Sequence, residues 1–424
     1  PSDLESSRQA AGYFHLGDLT LRLRTGGSGA WQNVTTSASR TAVTALTASG
    51  DVLAAADLSP ALPSGLPVTI TRSYLKQGGR LVMRFEIKNK SSASVQIGAL
   101  GIPMVFNNVI TNKTLEQAHA QCSFADPYIG REAGYVQVTR LSGANPALLV
   151  LPDGKTPFEA YSPILNAPKT GSKDPVAVFT DLTARGQTFE GFLEWMVHSK
   201  AYADGEWAKA EPWNPATDVT LAAGESKAYG VVFVLSDSIR NIEKTLVRYQ
   251  RPVAVGVPGY IVPTDLEAKL YLKYPSAVRA TAVEPSGALT VTATGDTASG
   301  WKGFAIAGQP WGRARLTVTY ADGTAQTIHS YVTKPASQAL GDMGTFLTTK
   351  AWFVDDDDPF GRSPSVMTYD HELGQVVTQA RQAWVCGLGD DGGATWLAGA
   401  MKLYGQPDRE QASKYQEFVD QVVW

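Results

Sequence analysis

The stretch AWFVDDDDPFGRSPSVMTYDHELGQVVTQARQAWVCGLGDDGG, residues 351–393, concentrates the side chains that could do acid–base work. Asp355, Asp356, Asp357, Asp358, Asp370 and Glu372 face a single basic residue, Arg362, between Ala351 and Glu372. That is a local charge of −5 in a chain whose total is −3, which leaves +2 for the remainder. Carboxylates set among Trp352, Phe353, Phe360 and Tyr369 suit proton transfer or cation binding beside a flat apolar surface. Asp390 and Asp391 form a second acidic pair in a Gly-flanked turn. Their mutual repulsion would keep one of them protonated, as a general acid requires.

Simpler physics explains the same residues. Aspartates at a helix start cap free N–H groups and suit the helix dipole, which accounts for Asp390 and Asp391. A solvated first helical turn accounts for Asp370 and Glu372, and a solvated linker for Asp355–Asp358. The four-aspartate run lacks the alternating ligands of a calcium loop, so no metal is assigned and no cofactor is called for. If one unbroken helix joined Asp370 to Gly387 it would be roughly 25 Å long, at 1.5 Å per residue. The two acidic clusters could not then flank one bond. Asp390 and Asp391 are the better pair for a pocket, with Asp370 as an outside candidate.

These residues sit late in a chain of 424 residues, long enough for two or three domains. A net charge of −3 provides no basic stripe for phosphates, which argues against a nucleic-acid partner. No apolar run reaches the length of a membrane span, so no membrane partner is expected. Few charges and many Ser, Thr, Gly and aromatic residues point to secretion, and Pro1 in place of Met reads as a processed terminus. Asn33, Asn89 and Asn112 open Asn-x-Ser/Thr triplets, the acceptor pattern for glycosylation. Cys122 and Cys386 are the only cysteines, too few for a disulfide scaffold, and two buried thiols suit them better than a bridge.

Residues 1–250 alternate with period two in run after run: Leu19–Arg24, Val68–Tyr74, Leu81–Asn89, Val95–Leu100, Gly134–Leu141, Ala147–Leu151 and Ala228–Val234. So many short runs predict a large antiparallel β-sandwich, closed by a helix over Ser238–Gln250 that Arg251-Pro252 terminates. Residues 251–337 carry a second, shorter strand series that fits a small immunoglobulin-like sandwich. Over residues 338–424 the spacing turns helical. Val366, Tyr369, Leu373, Val376, Ala380 and Trp384 predict one helix face, with a second helix over about Asp391–Tyr404 and a third after Pro407. Three helices leave apolar faces uncovered, so this last domain reads as unfinished.

Several runs resemble a known family. Cys122-Ser-Phe-Ala-Asp-Pro-Tyr-Ile-Gly, Gly134-Tyr-Val-Gln-Val-Thr-Arg-Leu, Lys155-Thr-Pro-Phe-Glu-Ala-Tyr and Asp358-Pro-Phe-Gly-Arg-Ser-Pro-Ser-Val-Met-Thr-Tyr-Asp look like the secreted, largely fungal and bacterial six-hairpin glycosidase-like proteins. Gly387-Leu-Gly-Asp-Asp-Gly-Gly is similar to that family's Gly-Leu-Ser-Asp-Glu-Ala-Gly, with Gly389 in place of Ser and Asp391 in place of Glu. The resemblance implies an N-terminal β-sandwich, a linker and an (α/α)6 toroid acting on carbohydrate, here only the toroid's first helices. The C-terminal remainder of the same polypeptide is then an expected partner, beside a polysaccharide or oligosaccharide substrate.

Within that expectation, the aromatic segment Glu194–Trp213 offers Trp207 and Trp213 as faces for sugar C–H groups, joined by Trp352, Arg362 and Tyr369 near the acids. His119 and His198 read as structural. Glycoside hydrolysis by carboxylate acid–base chemistry is the leading expectation. A polysaccharide lyase would use Tyr369 or His371 for proton transfer and Arg362 to neutralise a uronate. A non-catalytic glycan-binding protein on the same scaffold is the third reading.

Overall fold

The computed structural model describes residues 14–39, 41–107, 113–144, 146–163, 193–370, 374–377, 399, 402, 404–405 and 408–423. The alternating runs become two sheets, both antiparallel. One has six strands, centred on Val95–Met104, which pairs with Thr20–Thr25, Leu193–His198 and Val219–Leu221. The other has eight, with Arg80–Asn89 and Ser226–Ser236 at its middle. Period-two patterning makes each strand two-faced. Met83, Phe85 and Ile87 point into the core between the sheets, while Val82 points to the opposite face. That opposite face is covered by the helix Ile242–Arg248, through Ile242 and Leu246. Val95–Met104 is buried almost throughout, because neighbours cover both of its faces.

Val253–Val257, Glu267–Lys273, Lys302–Gly308 and Leu289–Asp296 build a four-stranded sheet. Ile261–Pro263, Ala325–Thr333, Gly312–Tyr320 and Val278–Glu284 build another, and the two enclose a core around Leu270, Leu316, Val318 and Tyr320. Lys302–Gly308 and the two short strands before Glu267 lacked a clear period in the sequence.

An elbow at Ile129–Glu132 ties the second sandwich to the first. Arg131 adopts a left-handed conformation (φ 55°) and bridges Phe158 on one side and Gln326 on the other. The Ile129 carbonyl accepts from His329 Nε2 (3.0 Å) and Thr327 Oγ1 (3.4 Å), and the Gly130 carbonyl accepts from Thr327 N (3.3 Å). The Glu132 carboxylate accepts from Ala325 N, and its carbonyl accepts from Arg251. Gly134 follows two residues after Glu132; a Cβ there would lie 2.4 Å from Phe158 Cβ, so the chain packs too closely at that point for a side chain.

The helical expectation after residue 365 is overturned in its first part. A helix does follow Pro335, over Ala336–Thr349, but Ser365–Val366 pairs with Trp352–Phe353 and Tyr369–Asp370 pairs with Gln375–Val376. Gly374 at φ 68° supplies a left-handed residue beside that second pairing. The three-and-four spacing of Val366, Tyr369 and Val376 therefore belongs to short hairpins, and no helix starts at Asp370. Arg409–Phe418 is helical, with the Asp408 side chain accepting from Glu410 N and Gln411 N. Its inward face is Gln411 and Tyr415, and Ala412 is exposed.

Phe158 is fully buried, stacks on Trp195 (centroids 4.2 Å apart, 10°) and exchanges both backbone hydrogen bonds with Arg131. Phe158→Ala is expected to cost about 3–5 kcal/mol of stability. Denaturant unfolding followed by circular dichroism measures it, and a loss under 1 kcal/mol would contradict the anchoring role.

Candidate functional site

Strand alternation puts a row of polar side chains on one outer face of the second sandwich. Glu284, Arg315 and His329 stand opposite one another on three neighbouring strands, and Arg313 stands opposite Tyr331 in the next row. Together with Tyr260, Ile261 and the loop Glu211-Pro212-Trp213 of the first sandwich, they line a cleft of about 610 Å³ between the sandwiches. Trp213 closes one wall. Its ring meets His329 edge-on (5.1 Å, 87°), the Arg313 guanidinium lies 4.9 Å from its centroid, and its carbonyl accepts from Arg315 Nη1 at 3.0 Å.

The charges of this cleft are largely internally compensated. Arg315 pairs with Glu284, and Arg313 approaches Glu211 at 3.9 Å while donating to its carbonyl at 3.2 Å. Arg315 Nε is buried with no partner among the described residues. His329 is different. Burial, with Arg315 and Arg313 nearby, holds its pKa down to about 4 against the pull of the Ile129 carbonyl, so it is neutral at pH 7. A carbonyl only accepts, so Nε2 carries the proton and Nδ1 is the basic nitrogen. At the rim, Trp311 is 56% exposed, with its indole N–H donating to Tyr331 Oη (3.2 Å) and Lys334 Nζ 4.8 Å from its ring. An aromatic face held open in this way suits the apolar side of a sugar ring.

Behind the same Glu211–Trp213 wall lies a second hollow of about 450 Å³, lined by Tyr161, Ser199, Trp207, Trp213 and Asn214 among small residues. Its floor is a buried polar network. The Glu159 carboxylate accepts from Ser199 Oγ and from Thr217 N (2.9 Å), and Thr217 Oγ1 contacts His198 Nδ1 (2.8 Å). His198 Nε2 in turn contacts Tyr229 Oη at 2.8 Å. Burial pushes the Glu159 carboxyl up, opposed by its hydrogen bonds, and lowers His198 to about 4.

The structure thus places Trp213 in both hollows and Trp207 in the second. Among the described residues, none of the acidic segment lines either hollow. Arg362 is buried, with its Nη2 2.6 Å from Asp358 Oδ1 and its Nε 3.1 Å from Oδ2, and its guanidinium lies 4.9 Å from the Phe360 ring centroid. Those bonds hold Asp358 down to about 2. This arginine holds its own loop together through Asp358. Trp352 and Tyr369 pack on the small core of Leu347, Ala351, Val366 and Tyr415, and Tyr369 meets Phe346 edge-on (5.1 Å, 80°). Asp370 is placed by its backbone, opposite Gln375. Asp390, Asp391, His371, Asn112 and Cys386 lie outside the described residues.

Asn33 is exposed, but Asn89 cannot carry a glycan in the folded chain. It is fully buried, and its Nδ2 donates to the carbonyls of Ala93, Leu221 and Ala222. The residues that the sequence reading missed are His329, Arg313, Arg315, Tyr331 and Asn214. One signal was available: Arg-Ala-Arg and His-Ser-Tyr alternate, so each pair shares a face.

A family model described as "Family of unknown function (DUF5695)" matches residues 1–424. The chain belongs to this family. No curated protein matches it significantly. Among solved structures, Polysaccharide Lyase BACCELL_00875 is similar in fold, with a TM-score of 0.61 at 13% identity over 96% of this chain. The likeness covers 53% of that protein, so the chain spans about half the length of its structural neighbour. The shared property at that identity is the fold, a β-rich, largely antiparallel architecture.

The two depressed histidines give stability a pH dependence. The unfolded chain protonates His198 near pH 6.5 and the folded chain only near 4, so its contribution is intact above about 6.5 and falls as pH drops towards 4. The loss reaches at most about 3 kcal/mol at 1.36 kcal/mol per pKa unit. Glu159, with its raised pKa, acts in the opposite sense, so the measurement is the difference between wild type and His198→Gln. The gap in unfolding free energy should narrow from pH 7 to pH 4.5, and a pH-independent gap would refute it. For Asp358 the signs are reversed in origin: its ion pair stabilises above about pH 4 and is lost as pH falls towards 2. Asp358→Asn should expose the 354–363 loop to limited proteolysis at pH 7, while leaving the cleavage pattern of the two sandwiches unchanged.

Proposed function

We propose that this chain is the β-sandwich portion of a secreted enzyme that cleaves a polysaccharide. The observation that carries the reading is the inter-sandwich cleft, where exposed and half-buried aromatic faces stand beside arginines and a neutral histidine. Such a mixture suits a glycan, whose rings offer apolar C–H faces and hydroxyl edges at once. The likeness of fold to a polysaccharide lyase adds support. The resemblance to six-hairpin glycosidase-like proteins belongs to the same proposal, as do a toroid beyond the described helices and the division at about residues 250 and 337.

Elimination is the chemistry that this cleft suits better. Arg313, only loosely matched to Glu211 at 3.9 Å, would exchange that partner for a uronate carboxylate, and an unprotonated imidazole such as His329 Nδ1 would take the proton beside it. The bond to the leaving glycosidic oxygen then breaks, a carbon–carbon double bond forms, and a tyrosine hydroxyl returns a proton to that oxygen. Hydrolysis needs two carboxyl groups roughly 5–9.5 Å apart. Within the cleft Glu211 and Glu284 are each matched to an arginine. The hydrolytic reading rests instead on Asp390 and Asp391 in the Gly387–Gly393 motif.

A panel of neutral and uronate-containing polysaccharides separates these chemistries. Reducing ends that appear together with ultraviolet absorbance from an unsaturated product are expected. His329→Ala should then lower kcat at least tenfold. Reducing ends without absorbance would replace elimination by hydrolysis, and the absence of both binding and cleavage across the whole panel would overturn the proposal.

A further inference from the structure

The second hollow has a chemistry of its own, distinct from that of the charged cleft. Asn214 is 2% exposed and lines it. Its Nδ2 donates to the Glu159 carbonyl at 2.7 Å, which fixes the amide orientation, because the flipped form would set oxygen against oxygen. Its Oδ1 is buried and has no partner among the described residues. A buried acceptor in that state favours an occupant that brings a hydrogen-bond donor.

The opposite requirement comes from Trp207. Its ring stacks on Tyr202 (4.6 Å between centroids, 22°), and Tyr202 lies under the Arg22 guanidinium at 3.6 Å. Arg22 is itself held by both carboxylate oxygens of Glu206, at 2.7 and 2.6 Å. Arg22, Tyr202 and Trp207 thus form a three-layer stack that holds the indole rigid at the wall of the hollow. An occupant must therefore present a flat apolar face to Trp207 as well as a donor to Asn214.

Charge narrows the choice. Of the residues lining the hollow only Glu211 is ionisable as an acid or base of full charge, and Arg313 approaches it from the neighbouring cleft. An anionic ring would find no cation among the described residues of this lining. The volume of about 450 Å³ falls within the range of small-molecule sites, roughly 300–1,000 Å³.

We infer that this hollow is a subsite for a neutral sugar ring, stacked on Trp207 and donating a hydroxyl proton to Asn214 Oδ1. It rests on the glycan reading above for the expectation of a saccharide, and it adds a place, a charge type and two recognition residues. The Glu159–Thr217–His198 network beneath keeps that floor rigid, since Glu159 holds both Asn214 and Ser199.

The test is a titration of the whole chain, read by tryptophan fluorescence, with the neutral disaccharides cellobiose, lactose, maltose and xylobiose. A glucuronic-acid-containing disaccharide serves as the charged comparison. Saturable binding of at least one neutral disaccharide is expected, weakened at least tenfold in both Trp207→Ala and Asn214→Ala and largely kept in Trp207→Phe. Circular dichroism and the unfolding midpoint verify that each variant is folded. No neutral binding, or neutral binding unchanged in folded Trp207→Ala and Asn214→Ala, overturns the subsite. If polymer cleavage persists in that case, the enzyme reading stands and the subsite alone fails. Loss of all cleavage and binding to every glycan would fell both.

Discussion

The elbow at Ile129–Glu132 is the constraint on which the rest of the molecule depends. The Ile129 and Gly130 carbonyls and the Glu132 carboxylate accept from the strand Ala325–Thr333, and Gln326 and Thr327 are buried beneath them. Buried polar groups must find partners, so this junction admits few relative placements of the two sandwiches. Arg131 takes a left-handed backbone that a non-glycine residue adopts at some cost. Pairing on both of its sides, to Phe158 and to Gln326, offsets that cost. The cleft exists because this junction sets Trp213 of one sandwich over the Glu284–Arg315–His329 row of the other.

Much of the β architecture was legible in the sequence because period two is a strong signal wherever one face is buried and the other is not. Val68–Gln77 and Arg80–Asn89 are found where alternation put them, with ends displaced by a few residues. The signal failed where geometry is set by distant partners. Val366, Tyr369 and Val376 have helical spacing, yet their segments are short pairings, because a hydrophobic count over so few residues cannot tell a turn of helix from two hairpin arms. Asn89 fails for a related reason. The triplet is local, whereas the three carbonyls that occupy its amide come from the loop at Ala93 and from Leu221–Ala222, more than a hundred residues away.

The candidate site was legible only in part. Trp207 and Trp213 stood out as aromatics in a polar segment, and both line hollows. The cleft's other half is spread over three strands, and only the register makes neighbours of Glu284, Arg315 and His329. The acidic run drew the eye as a charge anomaly. Its most deeply set member, Asp358, is consumed by Arg362 four residues on, a local ion pair that shapes a loop.

Glu211, Pro212 and Trp213 form one thin partition with a hollow on each side. Two sites that share a wall are thermodynamically coupled whenever filling one displaces it. Linkage then makes the influence mutual: whatever factor an occupant of the charged cleft imposes on the neutral hollow, the neutral hollow returns in equal measure. Trp213, braced by His329 and two arginines on the cleft side and packed on the first sandwich's core, is the mechanical element through which that exchange would pass.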